Sequence, residues 1–166
     1  MFALMDSLRV PDANNPRGYC EWTPIRSLAR TPEIIAAAEG KVVKVISSLL
    51  SALSARHSYR IIFMCRPLQE VVVSQNRMLE RLGKQVPSNP TDSVIVAFQE
   101  HLEHIRIWLP QQRNMDVLFC DYSAVVEKPR DVANTISTFL RQDLNIEAMM
   151  QQVEASLYRE KEGLTV

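Results

Sequence analysis

Residues 60–82 read RIIFMCRPLQEVVVSQNRMLERL. The run at 61–64 has the length and apolar continuity of a buried strand, Arg66 stands at its end, and Pro67 is suited to the first position of a helix. Ser74 follows two turns into that helix. An α/β protein builds an anion site in this way. The strand delivers a cation to the carboxyl edge of the sheet, and the helix behind it presents unpaired N–H groups and the positive end of its dipole. No glycine-rich phosphate loop precedes the unit within the 166 residues.

The flanking segments extend this strand–helix alternation. Thr23-Pro24 and Thr31-Pro32 each read as an N-cap followed by proline, with Gly40 as a stop. KVVKVIS (41–47) is a β-branched run of strand length. A helix is expected from about Asp92 to Leu109, with Ile95, Phe98, Leu102, Ile105 and Leu109 stepping 3-4-3-4. MDVLFCDY (115–122) reads as a further strand, Pro129 opens a helix carrying Val132, Ile136, Phe139 and Leu140 on one face, and Asn145 caps the last helix. Near-continuous apolar strands separated by helices indicate parallel strands covered on both faces. The expected fold is a single three-layer α/β domain over residues 1–166, with a small parallel sheet of about three strands flanked by helices. Residues 159–166 are expected to form a flexible tail.

Composition narrows the function classes. Nineteen basic residues balance nineteen acidic ones, so no global basic field points to nucleic acid or an anionic membrane. No apolar run is long enough to span a bilayer, and Asp6 and Arg9 interrupt any export signal at the start. Cys20, Cys65 and Cys120 form neither an even disulfide framework nor a metal spacing, which fits a reducing cytoplasm. EHLEH (100–104) sets His101 and His104 one turn apart, but a solvated helix face explains them better than a metal half-site, and no metal is expected.

Ligands of open parallel sheets bind beyond the carboxyl ends of the strands. The strand reading brings Ser47-Ser48, Cys65-Arg66 and Asp121-Tyr122 to that edge. A fixed guanidinium at Arg66 suits phosphate or sulfate. Ser74 lies eight residues on, roughly 12 Å along a helix, so a shared anion would lie along that helix. The alternative is an Arg66 that pairs with Glu70 or Asp121, and a serine packed against the sheet.

With these residues in place, the chain resembles the PAPS-dependent sulfotransferases, in particular their bacterial branch. Arg66 and Ser74 match the family's strand-end arginine and the serine eight positions later that hold the 3′-phosphate of the nucleotide. NPRGYCEW (15–22) is similar to a segment of the bacterial branch, and VLFCDYSAVVEKPRDVANTISTFL (117–140) to a family strand, turn, proline and helix. The resemblance implies PAPS or adenosine 3′,5′-bisphosphate as ligand, with Tyr122 near the nucleotide and Arg159 and Lys161 in a basic C-terminal loop. It also marks departures. The family's N-terminal strand and glycine-rich loop for the 5′-phosphosulfate have no counterpart here, and Ile46 stands where well-studied members carry a catalytic histidine.

The resemblance places that strand between the counterparts of 60–64 and 116–120, so these two are expected to pair directly. The face left uncovered is expected to be hidden by residues 1–10 or by a second subunit, a homodimer being favoured. Three functional readings follow. The chain is a sulfotransferase-like protein that keeps the 3′-phosphate half of the site and is inactive alone, a non-catalytic binding or oligomerisation module on that fold, or a fragment of an active sulfotransferase. A small phosphorylated nucleotide is the expected ligand in the first reading.

Overall fold

From Tyr59 onward the chain alternates strand and helix because its apolar residues come in short β-branched and aromatic runs separated by long 3.6-period stripes. The computed structural model describes residues 3–6, 11, 16, 18–81, 83 and 92–158. The chain divides into two compact units, Met1–Ser58 and Tyr59–Val166.

In the second unit, β1 (Tyr59–Cys65) leads through Arg66 and Pro67 into α1 (Leu68–Arg81). Then come α2 (Asp92–Trp108), β2 (Met115–Asp121), α3 (Tyr122–Glu127), α4 (Pro129–Leu140) and α5 (Ile146–Gln151). β1 and β2 pair directly and in parallel, from Tyr59 opposite Met115 to Cys65 opposite Asp121. This is the pairing expected from the sequence, and the unit is α/β with a small parallel sheet and flanking helices. Among the described residues the sheet has two strands.

Each helix follows its sequence signals. Val72, Ile105, Leu109, Ala133 and Leu140 are buried, and Leu109 has no exposed surface at all. The α2 stripe is the buried side of its helix, whereas Ile107, off the stripe, is 66 % exposed. α4 opens at Pro129 and closes at Arg141, which takes the left-handed conformation at φ 53°. Arg60, on β1, donates through Nη1 to the carbonyl of Leu140, placing a cation at the negative end of the α4 dipole. Asn145 caps α5, its side-chain oxygen accepting from the Ala148 N–H at 2.9 Å. α5 packs on α4.

The first unit corrects two expectations. KVVKVIS forms no strand: among the described residues its one ladder contact is an isolated parallel bridge between Val42 and Ala3. Strand propensity is realised only against a partner. With only that bridge, Val42 and Ile46 stay 48 % and 59 % exposed, and Ser47–Ala52 coils into a 3₁₀ helix. The two Thr-Pro segments give 3₁₀ helices as well, Thr23–Ser27 and Pro32–Ala38, with no capping bond from a threonine side chain. Thr23 instead turns to Asp6, donating its N–H at 2.6 Å and its hydroxyl at 3.1 Å to the carboxylate. Among the described residues of this unit, Ile25, Leu28, Ile35, Ala38 and Leu50 are buried. The segment proposed to cover the sheet, residues 1–10, lies largely outside the described residues.

Among the described residues no helix is long and apolar enough to cross a membrane. Leu109→Ala should lower the unfolding free energy by about 2–5 kcal/mol in a urea titration. Ile107→Ala, a truncation on the exposed side of α2, should stay within about 0.5 kcal/mol of the parent.

Candidate functional site

The register of the ladder sets the site. Cys65 faces Asp121 across the last rung, so the next residues along each strand, Arg66 and Tyr122, leave the sheet side by side. The Arg66 guanidinium lies over the Tyr122 ring, 5.1 Å from its centroid. It also lies 5.3 Å from the centroid of the Tyr158 ring. The two rings meet edge to face at 5.0 Å. A guanidinium over aromatic faces is held both by cation–π attraction and by packing of its planar surface.

Glu70 completes the cluster. It is four residues past Arg66, a spacing that puts the two side chains on one stripe of α1. Its carboxylate accepts from Arg66 Nε at 2.7 Å and, through its other oxygen, from the Tyr158 hydroxyl at 2.9 Å. With only 4 % of its surface exposed, Glu70 is the one buried charged side chain among the described residues. Removing a carboxylate from water costs several kcal/mol unless it is paired and hydrogen-bonded, and here it is both. Both oxygens act as acceptors, which is the bonding pattern of the ionised form.

Arg66 keeps 23 % of its side-chain surface exposed. Its Nε is committed to Glu70, while among the described residues no acceptor engages Nη1 or Nη2. The Tyr122 hydroxyl likewise has no hydrogen-bond partner among the described residues. The edge of the sheet thus offers an aromatic-braced guanidinium with its terminal nitrogens uncommitted, beside a hydroxyl.

Ser74 falls one turn beyond Glu70 on the same stripe of α1. It is exposed, so the alternative of a serine packed against the sheet does not hold. No hydrogen bond joins it to Arg66. Arg66 does pair with Glu70, as one alternative anticipated. Asp121 is exposed and takes no part in that pair. Ser47 and Ser48 open the 3₁₀ helix Ser47–Ala52 of the first unit, so the strand end at which the sequence reading set them does not form. Arg159 and Lys161 lie outside the described residues. Tyr158, 88 residues from Glu70 in sequence, is the residue that sequence reasoning missed. It follows a short 3₁₀ turn (Ala155–Leu157) and carries no local signal of its contact with α1.

Other polar groups near the edge are weaker candidates. Arg106 Nη2 donates to Cys65 Sγ at 3.7 Å. Cys120 is buried, and burial, followed by the charges of Asp121 and Cys65, pushes its thiol up from the ordinary 9.0. Among the described residues no three His, Cys, Asp or Glu side chains are grouped so as to hold a metal.

Burial pushes the Tyr158 hydroxyl up from 10.0, and its hydrogen bond to Glu70 and the Glu70 charge add to this, with Arg66 opposing. A raised folded value means that the neutral phenol is favoured in the native state. Its stabilisation is therefore complete below the unfolded value and is lost as pH rises through the folded one. The stability advantage of the parent over Tyr158→Phe should be constant below pH 10.0 and shrink above it. Denaturant midpoints across that range measure it, and a difference that grows with alkalinity would contradict the assignment.

The sulfotransferase domain model matches residues 19–165, nearly the whole chain. The chain therefore belongs to the sulfotransferase domain family. No curated protein and no solved structure shows a significant match to it.

Proposed function

We propose that the chain binds adenosine 3′,5′-bisphosphate or PAPS through the 3′-phosphate, and that by itself it does not transfer the sulfuryl group. The observation that carries this reading is Arg66. It stands at a strand end, its Nε is tied to buried Glu70, and no described residue takes its terminal nitrogens. A phosphate accepts well from two parallel guanidinium N–H groups. Ser74 supplies a hydroxyl along the same stripe of α1, and Tyr122 supplies a ring and a hydroxyl at the sheet edge.

The residues fit one half of such a nucleotide. For the 5′ side the described residues offer no comparable cradle. Gly18, Gly40 and Gly83 take positive φ, but none joins a strand to a helix. Ile46, at the position where the resemblance expects a proton acceptor, is an exposed aliphatic side chain with no acceptor atom. The three free thiols, Cys20, Cys65 and Cys120, suit a reducing cytoplasm.

Calorimetric titration tests the reading. Adenosine 3′,5′-bisphosphate should bind more tightly than 5′-AMP, which lacks the 3′-phosphate. Arg66→Ala should abolish that preference, weakening the bisphosphate about 10- to 100-fold, and Ser74→Ala should weaken it about 3- to 10-fold. Equal affinity for the two nucleotides would refute the site. Sulfuryl transfer from PAPS by the pure chain would refute the inactive half of the proposal.

A second reading, which is compatible with the first, is self-association. Parallel sheets are normally covered on both faces, yet Met64 is 46 % exposed and Phe119 39 %. Met64 pairs with Cys120 and Phe119 with Phe63 in the ladder, so the two lie on opposite faces of the sheet. A homodimer would cover one of these faces. Light scattering should give twice the 19.0 kDa chain mass, and a monomer at micromolar concentration would remove this reading.

A further inference from the structure

We infer that Arg106 is a second anion contact at the same sheet edge, placed for the 5′-phosphate of the bound nucleotide. The inference rests on the nucleotide reading given above and adds to it a residue from a different helix. Arg106 supplies one charge for that phosphate and not a cradle for a transferring group, so the proposed inactivity of the chain is unaffected.

Arg106 lies in the last turn of α2, where a cation is ordinarily explained by the negative end of the helix dipole. Its side chain does not turn back to the carbonyls of that turn. It reaches the sheet, Nη2 donating to Cys65 Sγ at 3.7 Å. Cys65 is the last residue of β1 and directly precedes Arg66. Two elements, the β1 end and α2, therefore bring a guanidinium group each to one strand end.

The contact with Cys65 places the Arg106 side chain without using up its charge. A thiol is a weak acceptor, and an arginine carries five N–H donors. Among the described residues no other acceptor engages Arg106, and no carboxylate pairs with it. Arg66 differs in this respect, since its charge is offset by Glu70. Arg106 is also exposed, so its free donors are open to a ligand. One group opposes an anion here. Asp121 stands across the last rung from Cys65, on the same face of the sheet. It is exposed and forms no ion pair with Arg106. Its charge, and the exposure of Arg106, make the expected contribution smaller than that of Arg66.

Two phosphates held by two arginines give separable effects. Arg106→Ala should weaken adenosine 3′,5′-bisphosphate and 5′-AMP about 3- to 10-fold each, the worth of one hydrogen bond to a charged group at an exposed site. Affinity for 3′-AMP, which lacks the 5′-phosphate, should stay unchanged. Arg66→Ala should give the opposite pattern, weakening the bisphosphate and 3′-AMP and sparing 5′-AMP. A merely structural role for Arg106 would weaken all three nucleotides together.

Calorimetry on the full chain, with the three nucleotides against the parent and Arg106→Ala, separates the outcomes. Loss confined to the two nucleotides that carry a 5′-phosphate supports the inference. Unchanged bisphosphate affinity in Arg106→Ala, or an equal loss of 3′-AMP, would overturn it. The 3′-phosphate reading would still stand in either case, provided that the parent prefers the bisphosphate to 5′-AMP. A parent without that preference would refute the reading and the inference together.

Discussion

The Glu70 carboxylate is the constraint around which the second unit is organised. A charge buried to this degree is tolerated only with strong partners, and it draws them from two parts of the chain: Arg66 from the end of β1 and Tyr158 from 88 residues beyond Glu70 itself. Satisfying it fixes the guanidinium beside two tyrosine rings and ties the last described turn to α1. The same requirement gives the site its chemical character. A lone buried ion pair is electrically neutral and of little use to an anion. One joined through Nε alone leaves a donor edge uncommitted.

The parallel ladder supplies the second condition. Cys65 ends β1 level with Asp121 at the end of β2, so Arg66 and Tyr122 emerge together. A slip of one residue would turn every side chain to the other face of the sheet and separate them. The Phe63–Phe119 rung, with ring centroids 5.6 Å apart, and the burial of Met115 and Cys120 hold the register.

Much of this was legible in the sequence. Residues 61–64 and 117–120 announced strands by apolar continuity, the α2 stripe by its period, and Asn145 by its capping chemistry. The neighbouring positions of Arg66 and Tyr122 follow from two strand ends alone. Glu70 was visible as an i+4 partner, though as a rival to anion binding. The geometry reconciles the two roles, because the pair consumes one guanidinium nitrogen and not three. Two features were not legible. KVVKVIS has the composition of a strand, but composition does not name a partner, and among the described residues only Ala3 pairs with it as a β-bridge. Tyr158 has no local pattern to betray it, since its meaning comes from a contact that only the folded chain creates.

Membership of the sulfotransferase domain family, together with a braced arginine at the carboxyl edge of a parallel sheet, gives the chain one central claim: Arg66 is a phosphate anchor. The most direct measurement is a crystal structure with adenosine 3′,5′-bisphosphate. The account predicts a 3′-phosphate oxygen within hydrogen-bond distance of Arg66 Nη1 or Nη2, with the Nε–Glu70 and Tyr158–Glu70 bonds intact. A nucleotide bound elsewhere, or an Arg66 fully engaged by Glu70 with no contact to phosphate, would contradict it.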